Sequence, residues 1–202
     1  MTARRERDDL ATIDLYWIPL GAGQHVVRAS GKAFEALSSL VQRRRRCDLY
    51  HSALIVTIPD GQFVIEMTPV PDESGEGRGV VVERAVGSRL LGRFRLFRYE
   101  IRRWLDGIIP DVSEATSSVR LHIEPGLAQC LLDLVPSVPA AVWGRDELDA
   151  GEMWNSNSVT SWLLTRIGVD MAELGPPCGG RAPGWDAGVT VAGRDQRRLL
   201  VS

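Results

Sequence analysis

Polar and apolar residues alternate along several short stretches of the chain, and those stretches predict strands. Ile13 to Leu20 is a short apolar run holding Tyr16 and Trp17, suited to a strand that ends at Pro19. Leu49 to Ile58 and Gln62 to Pro69 are rich in β-branched and aromatic residues. Pro59-Asp60-Gly61 separates them, and Asp-Gly is a strong hairpin signal. Val80 to Glu83 predicts a further short strand. Arg93 to Trp104, where arginine alternates with Phe94, Leu96 and Tyr99, predicts a half-exposed one. Arg120 to Ile123 is a weaker strand.

Helical spacing predicts three helices. Val27 to Arg45 carries apolar residues at Val27, Ala33, Phe34, Leu37, Leu40 and Val41. Arg43 to Arg46 close it, where positive charge either complements the C-terminal end of a helix dipole or forms an anion-binding patch. Pro125-Gly126 opens a helix through Leu134, stopped by Pro136 and Pro139. Asn155 to Ile167 forms the third, ended by Gly168. Pro71 to Gly79 reads as a loop. Gly175 to Gly188, rich in Gly and Pro, reads as an ordered loop on which Trp185 packs. Strands with helices at intervals, without regular βαβ alternation, predict an α+β fold. Residues 1–10 read as a flexible tail and 11–202 as one domain.

Composition changes this picture little. Hydrophobic residues make up 44% and charged residues 25% of 202 residues, as in ordinary globular chains. A net charge of -2 gives no reason to expect a nucleic-acid partner. The basic residues are arginines except Lys32. Met1 to Leu10 has no apolar core of a signal peptide, and no run reaches the roughly 18 apolar residues of a membrane span. Cys47, Cys130 and Cys178 form no CxxC pair, so neither a disulfide framework nor a metal site is expected. Cys130 reads as a helix-core thiol and Cys178 as a loop thiol. Together these features predict a cytoplasmic protein without integral membrane association.

Two segments carry candidate chemistry. Asp48 to Val56 sets His51 at the start of a buried strand, with Glu66 on the partner strand. Met153 to Leu164 runs four small polar residues, Asn155 to Ser158, straight into an apolar helix. A helix N-terminus leaves backbone N–H groups unpaired and carries partial positive charge. A nucleophile there is activated, and the free N–H groups can hold an oxyanion. A nearby histidine can take its proton. The same four residues also suit a helix cap with no catalysis at all. His25 and His122 carry weaker signals.

The pair of segments resembles the circularly permuted papain-like group, which includes permuted NlpC-type peptidases and lecithin retinol acyltransferase-like proteins. In that group a histidine strand comes first and an Asn-Cys motif opens a later helix. The counterparts are His51 in Tyr50-His51-Ser52-Ala53 and Asn157-Ser158 before Val159. The likeness covers roughly residues 47–70 and 152–168. It implies an antiparallel sheet or partial barrel packed against helices. It also implies acyl transfer, as hydrolase, amidase or acyltransferase, without cofactor or metal. Ser158 would be the nucleophile, His51 the base and Glu66 its orienting group, with Asn157 and Asn155 on the substrate or oxyanion side. The substrate would be a small molecule, a peptide or a lipid-like acyl compound.

Two departures qualify the resemblance. Serine stands where the group has cysteine, and a hydroxyl depends wholly on its base. That leaves open a catalytically inactive member that binds a ligand or a protein. An unrelated domain in which both motifs are core and caps is the third reading. The second departure is geometric. A tight turn at Asp60-Gly61 pairs Ile55 with Glu66 and His51 with Val70, which leaves Glu66 about 13 Å along from His51.

Overall fold

The alternation closes into one antiparallel sheet. The computed structural model describes residues 11–20, 47–70, 79–109 and 112–201. Its strands are β1 (Ala11–Pro19), β2 (Tyr50–Ile58), β3 (Gly61–Pro69), β4 (Val80–Ala85), β5 (Arg98–Leu105) and β6 (Ser117–Ile123). Their order across the open sheet is β4-β5-β3-β2-β1-β6, with every neighbouring pair antiparallel. Three helices follow among the described residues: α1 (Pro125–Leu134), α2 (Ser156–Arg166) and α3 (Trp185–Val201). The fold is α+β. None of these helices is long and apolar enough to cross a membrane.

Strand pleat divides the sheet into two unlike faces. Ile13, Leu15 and Trp17 of β1 join Tyr50, Leu54 and Val56 of β2 in the main core. Val159, Trp162, Leu163 and Leu164 of α2 pack there too, as do Leu131 and Leu132 of α1. Each large apolar side chain taken fully from water contributes about 1.5–3 kcal/mol. The second face carries a smaller cluster of Ile18, Ala53, Val64 and Ile109. Polar pairs flank it. Asp14 accepts two hydrogen bonds from Arg120, at 2.6 and 2.9 Å. Buried Arg102 meets Glu100 at 2.5 Å and Glu66 at 3.7 Å.

Several expectations need correction. The loop expected over Gly175 to Gly188 ends early, because α3 starts at Trp185. Trp185 does find a packing site, its ring centroid 4.9 Å from that of Trp17. The strand expected from Arg93 begins only at Arg98, after two 3-10 turns at Leu91–Arg93 and Arg95–Phe97. The hairpin turns at Pro59-Asp60, with Gly61 already paired to Ile58. Ile55 therefore faces Val64 rather than Glu66. Cys130 is an exposed thiol on α1, not a core one. The helix read over Val27 to Arg45, the arginines 43–46, His25, the tail 1–10 and most of the loop after Val70 lie outside the described residues.

Candidate functional site

Asn155 starts α2 from an extended backbone and caps it. Its Oδ1 accepts from the backbone N–H of Asn157 at 2.9 Å and of Ser158 at 3.3 Å. Ser158 returns the bond: its Oγ accepts from the Asn155 N–H at 3.1 Å. This reciprocal box satisfies donors that a helix start leaves open. It also uses the two N–H groups that would otherwise have faced an oxyanion.

The rest of the polar run binds the entry to α3. The Ser158 hydroxyl donates to the Gly184 carbonyl at 2.7 Å. Ser161 donates to the Trp185 carbonyl at 2.7 Å. The amides of Asn155 and Asn157 both donate to the Pro183 carbonyl, at 2.8 and 2.9 Å. Asn157 also reaches the Tyr50 carbonyl on β2 at 3.0 Å. Glu152 accepts from the Gly184 N–H at 2.7 Å. The polar segment read as catalytic is thus a clamp joining α2, β2 and α3.

Glycines make the clamp possible. Gly184 has φ +84°, and a Cβ there would stand 2.6 Å from Asn155 Oδ1 and 2.7 Å from Ser158 Oγ. A Cβ on Gly188 would collide with the Ser158 carbonyl and the Ser161 hydroxyl. Small residues on both helices therefore set how closely α2 and α3 approach.

The structure does not bring His51 and Ser158 together. His51 pairs with Ile18 and lies two residues from Ala53, so the pleat puts it on the second face. Helix α2 packs on the other face, and the Ser158 hydroxyl turns to Met153, Asn155 and Gly184. Ser158 is 0% exposed. Burial alone pushes the His51 imidazole down to about 4, so it is neutral at pH 7. Glu66 shares the second face and, in the observed register, lies nearer to His51 than the sequence suggested. Its described partner is nevertheless Arg102 on β5, and no hydrogen bond links it to His51. His122 is an exposed residue of β6.

Two features escaped the sequence reading. The Asn-Ser pair that opens the helix is Asn155-Ser156, not Asn157-Ser158. The Ser156 hydroxyl makes no hydrogen bond among the described residues. The second feature is a cleft of about 420 Å³ at the outer end of β4, lined by Arg84, Arg89 and Arg98. Its sequence signal is the run of arginines among Leu and Phe from Arg89 to Arg98, of which Arg93 to Arg98 fall within the expected strand. No family model matches the chain, and neither a curated protein nor a solved structure matches it.

Proposed function

We propose that this chain is a catalytically inactive ligand- or protein-binding module, built on a frame like that of the permuted papain-like group. One observation carries the reading: the Ser158 hydroxyl is buried and committed to the Gly184 carbonyl at 2.7 Å. A nucleophile needs a free hydroxyl, a base within reach and open oxyanion donors. Here Ser158 spends its proton in a structural bond, and Asn155 takes the nearby N–H groups. His51 and Glu66 belong to the second face and to other neighbours. The acyl-transfer reading built on Ser158, His51 and Glu66 gains no support from this geometry.

Ser156 favours a second reading. Its hydroxyl is uncommitted at the first helical position, where a nucleophile profits from the helix field. Acyl transfer from Ser156 would need a base other than His51. Treating the full chain with a fluorophosphonate probe, followed by peptide mass mapping, separates the readings. The binding module gives no adduct. An adduct on Ser156 establishes the second reading, and one on Ser158 restores the first.

A further inference from the structure

The two edges of the sheet are unlike. At β4 the pairing with β5 slips between Val80 and Val82. Its far end is also covered: the Trp143 N–H donates to the Ala85 carbonyl at 3.0 Å, and the Gly87 N–H to the Trp143 carbonyl at 2.8 Å. Irregular pairing and a covering loop are ways in which proteins keep an edge from adding strands. β6 has neither. It runs 7 residues against β1 without a register shift, holds no proline, and has no strand on its outer side among the described residues. Its one charged residue, Arg120, is tied to Asp14 at 2.6 Å.

The phase of the ladder fixes which backbone groups that edge leaves open. The Leu20 N–H donates to the Leu49 carbonyl at 2.7 Å, next to the point where Pro19 faces Tyr50. Thr12, Asp14, Tyr16 and Ile18 therefore bond towards β2, and the alternate residues of β1 bond towards β6. The Trp17 carbonyl, which accepts from the Thr116 N–H at 3.1 Å, points that way. Ser117, Val119, Leu121 and Ile123 face those alternate residues and turn their own backbone groups inwards. The N–H and C=O groups of Ser118, Arg120 and His122 thus point out of the sheet, and all three residues are exposed. On the helix-bearing face Val119, Leu121 and Ile123 are only half-buried against the main core, so apolar surface runs along the same edge.

We propose that β6 pairs with β6 of a second copy of this chain, antiparallel and centred on Leu121, so that two sheets join into one. The side chains select both the occupant and the register. Centred on Leu121, the two-fold sets Leu121 against Leu121 and Val119 against Ile123 on either side, so every half-buried apolar residue of the edge meets another. Arg120 then lies opposite His122 and diagonal to Glu124, an exposed carboxylate with no ion pair among the described residues. Diagonal neighbours on paired strands are about 7–8 Å apart, within reach of a long side chain, so the charges of the two copies complement each other. Centring on Arg120 would oppose two like charges directly. Centring on Val119 would set Leu121 against Ser117 and leave Ile123 beyond the partner strand. The inference goes beyond the binding-module reading and does not rest on it. A ladder this short buries little area, so the dimer belongs to the weak class that forms near micromolar concentration.

The test uses the full chain. Analytical ultracentrifugation across the micromolar to millimolar range should show a reversible monomer–dimer equilibrium. His122→Pro removes an outward N–H without touching the ladder to β1, and should weaken the dimer about tenfold. Glu124→Arg alters a side chain that makes no cap bond on α1. It brings like charge beside Arg120 of the other copy and should weaken the dimer about threefold. Cysteines read the register. With Cys130 and Cys178 replaced by serine, Leu121→Cys sets two thiols across the two-fold and should give a disulfide between copies on mild oxidation. Val119→Cys leaves its two thiols four residues apart, about 13 Å along the strands and beyond disulfide reach.

A parent that stays monomeric throughout that range overturns the inference. So does a dimer left intact by His122→Pro of unaltered circular dichroism, or cross-linking through Val119→Cys as fast as through Leu121→Cys. If His122→Pro unfolds, the exposed Glu124→Arg and the two cysteine variants still decide it. The binding-module reading fails separately, by a fluorophosphonate adduct, which leaves the β6 edge untouched.

Discussion

The Ser158 hydroxyl donates to the carbonyl of Gly184 at 2.7 Å, and so ties the first turn of α2 to the residue before α3. The bond is buried and the hydroxyl also completes the α2 capping box. Ser158→Ala should therefore lower stability by about 1–3 kcal/mol, from the lost bond and the carbonyl left unpaired. Urea denaturation measures it. A midpoint equal to that of the parent contradicts the clamp.

Ser158→Cys distinguishes a clamp from a catalytic site. A thiol at this position is enclosed, and His51 faces away from it. Its alkylation by iodoacetamide at neutral pH should be slower than that of exposed Cys130 and Cys178. Adding His51→Ala should leave that rate unchanged. A fast reaction that falls when His51 is removed would restore the nucleophile–base pair.

Gly188→Val should separate α2 from α3. The new side chain meets the Ser158 carbonyl and the Ser161 hydroxyl, which have no room to retreat. Overpacking of this kind costs about 1–3 kcal/mol. Thermal melting should show a clear drop, whereas Gly126→Val, at a position with open space, should change packing little.

His51 makes stability depend on pH. Its ordinary value is 6.5 and burial lowers it to about 4 in the folded chain. Between those values the unfolded chain binds the proton and the folded one does not. The contribution is therefore complete above about pH 6.5 and declines as pH falls towards 4, by up to about 3 kcal/mol. Comparing denaturation midpoints of the parent and His51→Gln from pH 7 to pH 4 isolates it from the carboxylates. If both lose stability in parallel, the imidazole is not desolvated as described.

On the second face one cation, Arg102, pairs with two carboxylates. Arg102 stands between Glu100 and Glu66, and all three side chains are largely buried. Arg102→Ala should destabilise by about 3–5 kcal/mol, since it removes a positive partner from two buried carboxylates. Urea denaturation measures the loss, and a smaller loss in Arg102→Lys, which keeps the charge, marks it as electrostatic.

Local pattern made much of the fold legible. The strands β1, β2 and β3 are legible as short runs of apolar, β-branched and aromatic residues, because residues on both of their faces are buried. The capped helix after Asn155 was equally readable, because cap residues and the apolar run are neighbours in sequence. The hairpin was found but not its register. A slip of two residues keeps every side chain on its own face, so alternation cannot tell Ile55 opposite Val64 from Ile55 opposite Glu66.

The role of the polar run could not be decided locally. Asn155 to Ser158 suit a cap and a catalytic helix start alike, and the choice rests on what lies across from them. By itself the sequence determined an α+β chain with an antiparallel sheet, a capped α2 and a buried strand bearing His51. Only the tertiary structure decided that Gly184 and Gly188 belong to a helix and its entry rather than to a loop. It was also the tertiary structure that separated His51 from Ser158. The reason is physical: glycine lowers local helix preference, yet here its missing side chain is what lets α3 approach Ser158 and Ser161, a contact formed between residues far apart in the chain.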